Sequence, residues 1–133
     1  MIVLDTSFII SIVRGSPEVS HELQTLDDED LFITSISYFE IFRSREKMNH
    51  KESTFLKNIF SIYEVLPFDT DASERSSQIQ AKLDRMGEKI NVLDVLIAGT
   101  MLGHGITKIA TKDNDFHKIS RVEKIEILDT LKP

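Results

Sequence analysis

The sequence has no cysteine among its 133 residues. That removes disulfide scaffolds, zinc fingers, iron–sulfur clusters and thiol nucleophiles together, and it fits a reducing, cytoplasmic setting. No apolar run approaches the roughly 18 residues that a membrane span needs, so no membrane association is expected. The opening MIVLDTSFIISIV is interrupted by Asp5, and it has neither the basic segment nor the cleavage site of a secretory leader. No Pro/Gly/Ser-rich stretch separates two halves and no period of roughly 20–50 residues repeats, which excludes linkers and solenoids. Basic residues are outnumbered 16 to 22, for a formal net charge of −6. A protein that only coats nucleic acid is expected to be basic, so a nucleic-acid role here requires local patches or bound cations. G-x-G-x-x-G, Walker, H-E-x-x-H and G-x-S-x-G patterns are also absent, leaving nucleotide-cofactor, zinc-protease and serine-hydrolase readings unsupported.

What remains is ordinary globular composition, 41% apolar and 29% charged, in a length that suits one domain over residues 1–133. Strand-like and helix-like segments alternate. Ile2-Val3-Leu4 reads as a strand buried on both faces. A helix through Val13 stops at Gly15, and Ser16-Pro17 opens another carrying Val19, Leu23 and Leu26. Leu31 to Ile36 is a second strand. Helical spacing follows from Ser37 to about Lys47, then from about Glu52 to Tyr63 with Phe55, Ile59 and Ile62 on one face. Val65, Leu66 and Phe68 form a third strand, where Pro67 favours an edge position. Thr70 or Asp71 caps a long helix with the stripe Ala72, Ile79, Leu83 and Met86, ending at Gly87. Val92 to His104 is apolar almost all round and is expected to be a central buried helix, capped by Gly105. In it, Ala98 and Gly99 allow another backbone to come close, and Gly99 and Gly103 form a packing or capping feature. Lys108–Thr111 and Lys124–Leu128 are the last strands. The alternation predicts an α/β fold, a three-layer α/β/α sandwich around a mostly parallel central sheet.

Such sheets place chemistry outside the carboxyl ends of their strands, and acids fall there. Asp5 ends the first strand, Glu40 lies a turn past the second, Asp94 enters the buried helix, and Asp113 and Asp115 follow the strand KIAT. Each has a local explanation. Asp5 and the Asp113/Asp115 pair could cap, Ser37-x-x-Glu40 fits a capping box, and Asn91 with Asp94 imitates one. Jointly they describe several carboxylates at one sheet edge, whose repulsion helix dipoles cannot cancel but a divalent cation can. Oxygen-only donors point to Mg²⁺ or Mn²⁺ rather than Zn²⁺, and the chemistry such a site serves is metal-assisted attack of water on a phosphodiester.

At these residues MIVLDTS, SISYFEIFR, INVLDVLIAG and IATKDNDF, in that order and with LPFD before the long helix, the chain resembles the PIN-domain nucleases. Within them it is similar to the VapC-type toxin ribonucleases. The resemblance implies a PIN-like fold and a Mg²⁺- or Mn²⁺-dependent endoribonuclease. It also implies a homodimer, and silencing by a small cognate antitoxin. Asp5, Glu40, Asp94 and Asp113 fall on the family's acidic positions, and Asp115 on the aspartate that precedes phenylalanine in the last motif. All five are candidate metal ligands, and the first four are candidate catalytic residues. Position 7 is Ser where asparagine is frequent, and the last motif offers two aspartates for one role.

Thr6, Ser7 and Thr111 are candidate substrate or phosphate contacts, or else capping hydroxyls. Arg43 shares the helix face of Glu40 and either binds the scissile phosphate or pairs with Glu40 or Glu46. Arg43, Arg45, Lys47, His50 and Lys51 form the densest basic run, either a solvated helix end or an RNA-backbone patch. His21, His50, His104 and His117 lack ligand spacing and read as surface residues. Two other functions compete with the RNA-cleaving enzyme. A receiver-like, Mg²⁺-binding signalling domain wants adjacent acids after the first strand, where Asp5 stands alone. A non-catalytic PIN-like binding module would not need its acids intact. A haloacid-dehalogenase-type phosphatase needs Asp at position 7, where Ser7 stands.

Overall fold

The computed structural model describes residues 1–129. Five short strands form one parallel sheet in the order β3-β2-β1-β4-β5: β1 (Ile2–Leu4), β2 (Leu31–Thr34), β3 (Glu64–Leu66), β4 (Lys108–Thr111) and β5 (Glu126–Asp129). β1 is central, with Val3 opposite Phe32 on one side and Ile109 on the other. Because side chains alternate along a strand, Ile2 and Leu4 enter one core and Val3 the other. The first core holds α1 (Thr6–Val13), α2 (Pro17–Thr25), α3 (Ser35–Arg43) and α4 (His50–Ile62) against the sheet. The second is built mainly by α5 (Thr70–Arg85), α6 (Val92–Gly103) and α7 (Asp115–Ile119). This is the expected three-layer sandwich.

α6 is the buried central helix that its apolar circumference predicts. It packs against α5 so closely that a Cβ on Gly99 would come within 2.7 Å of the Ser76 backbone nitrogen, and one on Gly103 within 3.2 Å of Ala72. Gly105, with φ +79°, lies just beyond the helix end.

Several local expectations are corrected. β3 is an edge strand, but it stops at Leu66, so Pro67 lies outside it; beyond it the Phe68 N–H donates to Ser35 Oγ at 2.9 Å. α5 is capped by Asp69, whose Oδ1 accepts from Ala72 N at 2.9 Å, instead of by Thr70 or Asp71. That helix ends at Arg85, and Met86 is exposed. On α4 the buried residues are Leu56 and Ile59, which join the first core, whereas Phe55 and Ile62 are exposed. The third helix begins two residues before Ser37 and gives way after Arg43 to a 3-10 turn at Arg45–Lys47.

Candidate functional site

The carboxyl ends of β1, β2 and β4 converge on the start of α6, and the acids meet there. Asp94, Asp113 and Asp115 each offer an oxygen within 4.8 Å of the others. Asp5 joins them through its field: after burial, its charge is the strongest influence opposing ionisation of Asp94, followed by that of Asp113. Glu40 lies outside the close trio. Its Oε1 accepts a 2.8 Å hydrogen bond from Thr6 Oγ1, which is also 2.8 Å from Ser37 Oγ.

The capping explanations largely fail. Asp5 occupies the N-cap position of α1 but makes no cap hydrogen bond. Thr34 caps α3 by accepting from Ser37 N at 3.1 Å, so the Ser37–Glu40 box does not form. Asn91 caps α6 by accepting from Leu93 N at 3.0 Å, leaving the Asp94 side chain uncommitted to the helix end. Only Asp113 keeps a turn-forming role, its Oδ1 accepting from Asp115 N at 2.9 Å. Asp115 begins α7, lies 3.9 Å from Lys118 Nζ, and its Oδ2 accepts a long 3.4 Å bond from Asn91 N.

Two oxygens at this edge are buried without a hydrogen-bond partner, Asp5 Oδ1 and Asp94 Oδ2. Burying carboxylate charge without compensation is costly, and it shows in the titration. Burial lifts the Asp5 carboxyl to about 6 despite hydrogen bonds from Thr111 and Ser7. Burial, then the charges of Asp5 and Asp113, lift Asp94 to about 9. Two buried carboxylates with unpartnered oxygens, beside two half-buried ones, make an oxygen-only donor set that fits a hard divalent cation.

The hydroxyls meet at Asp5. Ser7 Oγ and Thr111 Oγ1 each donate to Asp5 Oδ2 at 2.8 Å. Arg43 stands with its guanidinium 5.6 Å from the Phe39 ring, and Arg45 lies over Phe42 while its Nε donates to Ser53 Oγ at 3.1 Å. Arg43, Lys47, His50 and Lys51 are exposed around the α3–α4 connection. Of the histidines, His104 and His117 are half-buried and depart from expectation; His104 Nε2 is 3.0 Å from Pro67 O and 3.6 Å from Asp69 at the start of α5. Ser37 is the site residue that sequence reasoning passed over except as a cap. Its signal was its place three residues before Glu40, on the same helix face. Among the described residues, no helix is long and apolar enough to cross a membrane.

Comparison with known proteins agrees with this geometry. A family model described as "PIN domain" matches residues 2–122. A tRNA(fMet)-specific endonuclease VapC from Salmonella typhimurium is 30% identical over 118 residues, 87% of this chain and 89% of that protein. Among solved structures, a DNA-bound VapBC from Salmonella typhimurium superposes with a TM-score of 0.81 at 26% identity, covering 97% of both chains. VapBC2 from Rickettsia felis, bound to a promoter DNA fragment, reaches 0.82 at 19% identity over 97% of this chain and 98% of that one, a likeness of fold.

Proposed function

The chain belongs to the PIN-domain family, and on that premise we propose that it is a metal-dependent endoribonuclease, the toxin of a toxin–antitoxin pair, acting as one domain over residues 1–133. The observation that carries the reading is the burial of Asp5 and Asp94, each with an unpartnered oxygen, beside Asp113 and Asp115. Capping does not account for those oxygens, and the receiver-like alternative gains nothing from the comparisons.

Asp5, Asp94, Asp113 and Asp115 would hold Mg²⁺ or Mn²⁺ through oxygen. When bound, the cation supplies activation of water and relief of phosphoryl charge for phosphodiester hydrolysis. The chain's own residues do the rest. Asp94 holds a proton in the metal-free site and would have to release it to solvent to serve as a ligand. Glu40, its Oε1 fixed by Thr6, is assigned to accept a proton from the attacking water. Arg43 and the basic residues after it hold the RNA backbone, which reconciles a −6 chain with a polyanionic substrate. Hydrolysis leaves a 3′-hydroxyl and a 5′-phosphate. A small antitoxin, reaching the acidic cleft with a basic side chain, is the assigned partner, and the working form is a homodimer in the cytoplasm.

The test is direct: incubate purified protein with mixed RNA in Mn²⁺ or in EDTA, beside Asp94→Asn. Cleavage by the wild type in Mn²⁺ only is expected. Cleavage that persists in EDTA would remove the metal from the reading, and none in either condition would favour a non-catalytic module.

A further inference from the structure

The hydrogen bonds around Asp5 form two parallel relays. Lys112 N–H donates to Ser7 Oγ at 3.0 Å, and Ser7 Oγ donates to Asp5 Oδ2 at 2.8 Å. Asp113 N–H donates to Thr111 Oγ1 at 3.0 Å, and Thr111 Oγ1 donates to the same Asp5 Oδ2 at 2.8 Å. Each hydroxyl has one proton to give, and each gives it to Asp5. The two oxygens are 3.4 Å apart. Both acceptor positions of Oδ2 are therefore filled, and the only oxygen Asp5 retains is the buried, unpartnered Oδ1. The relays also tie that carboxylate to the backbone of residues 112 and 113, which carries the Asp113 ligand.

We infer that Ser7 and Thr111 are positioning residues that confine Asp5 to a single ligating oxygen, and so bias the site toward small octahedral cations over Ca²⁺. The inference rests on the metal-binding reading above. Small cations such as Mg²⁺ demand near-octahedral geometry with few ligand atoms, whereas Ca²⁺ accepts six to eight oxygens and readily takes a carboxylate through both. A carboxylate with one oxygen withheld serves the first kind of ion and penalises the second. Hydrogen bonds to a ligand also fix its orientation. With their protons committed to Asp5, neither hydroxyl has a donor to offer a phosphate oxygen. This separates them from Thr6, whose partners are Ser37 and Glu40.

The experiment is calorimetric titration of Mn²⁺ and, separately, Ca²⁺ into the metal-free full chain, without RNA. It compares wild type with Thr111→Val, Thr111→Ser and Ser7→Ala. Thr111→Val keeps the shape of the side chain and removes the donor. It should weaken Mn²⁺ binding by about tenfold or more while weakening Ca²⁺ less, so that the preference for Mn²⁺ narrows. Ser7→Ala should move in the same direction and serves should the valine variant not fold. Thr111→Ser should retain the wild-type preference. An unchanged Mn²⁺/Ca²⁺ ratio in folded Thr111→Val or Ser7→Ala would overturn the inference, as would a serine variant that behaves like the valine one. Because no RNA is present, a wild type that shows the expected ratios but cleaves no RNA would defeat the nuclease reading alone.

Discussion

After burial itself, the charge on Asp5 is the strongest influence keeping the Asp94 carboxyl protonated. The two residues lie at the ends of different elements, one closing β1 and the other entering α6, and both face inward with an oxygen unsatisfied. The fold thus holds a repulsive arrangement in place, and its thermodynamics carry the mark.

The first consequence is an inverted pH profile for the metal-free protein. Both groups bind a proton in the folded chain at pH values where the unfolded chain has lost it. Stability must therefore fall as pH rises from about 4, where unfolded aspartates ionise, toward about 9. Asp5 alone, raised from 3.8 to about 6, corresponds to a loss on the order of 3 kcal/mol. Thermal unfolding in EDTA from pH 5 to 9 checks this, and a profile that rises with pH would contradict the buried cluster. Millimolar Mn²⁺ should flatten it by stabilising the ionised native form.

Asp94→Ala tests the cluster against residual capping. Loss of a cap would cost about 0.5–2 kcal/mol with or without metal. Since Asn91 supplies the cap, the variant should melt no lower than wild type in EDTA at pH 8, yet gain far less from Mn²⁺. Asp5→Asn and Asp94→Asn should each lower RNA cleavage by roughly two orders of magnitude or more, because a ligand is lost with shape nearly kept. Wild-type cleavage by both would remove these residues from the site.

The α5–α6 contact should respond asymmetrically to two single-atom changes. Gly99→Ala drives a Cβ into the backbone of Ser76 and should cost about 1–3 kcal/mol in urea unfolding. Ser76→Ala removes a buried hydroxyl without a partner and should be neutral or stabilising by about 1 kcal/mol.

Glu123 joins the segment after α7 to α5 by accepting from Lys82 Nζ at 2.9 Å and Arg75 Nη2 at 3.1 Å. Burial works to raise its carboxyl, but these two cations win and hold it below the usual glutamate range. Glu123→Ala should cost about 1.5–3 kcal/mol near neutral pH. The difference from wild type should shrink as pH falls below about 4.5, where the unfolded chain takes up a proton that folded Glu123 still resists. Urea midpoints at pH 7 and pH 3.5 measure it.

Regulation gives a separate outcome. A short protein encoded beside this one should bind it and suppress cleavage, with association that slows as salt increases, since the contact is steered by an anionic cleft. Stopped-flow binding across salt concentrations tests this. A neighbour that binds without suppressing cleavage would leave a nuclease but not a toxin.

Much of this was legible in the residues themselves. Ile2-Val3-Leu4 followed at once by Asp5 states a central strand with an acid at its end, and the unbroken apolar girth of α6 puts Asp94 indoors. The helix face of α4 was not legible, because Phe55 and Leu56 are equally apolar and only the tertiary packing of the helix on the first core decides between them. The caps of α3 and α5 were misplaced for a similar reason: neighbouring hydroxyls and carboxylates compete within one turn. The bond of Thr111 to Asp5 was out of reach because the two stand about a hundred positions apart, and the Lys112 N–H that orients Ser7 is equally remote.

The strand order has a consequence for synthesis. β1 precedes β4 in the chain by about a hundred residues yet pairs with it on one side, so Asp5 gains Thr111 and its acidic neighbours only when the chain has been extended past Asp115. A ribosome-bound chain short of that point carries Asp5 and Glu40 but no assembled acidic centre. The acidic centre, and any activity that depends on it, therefore assembles only after β4 and the start of α7 have joined β1.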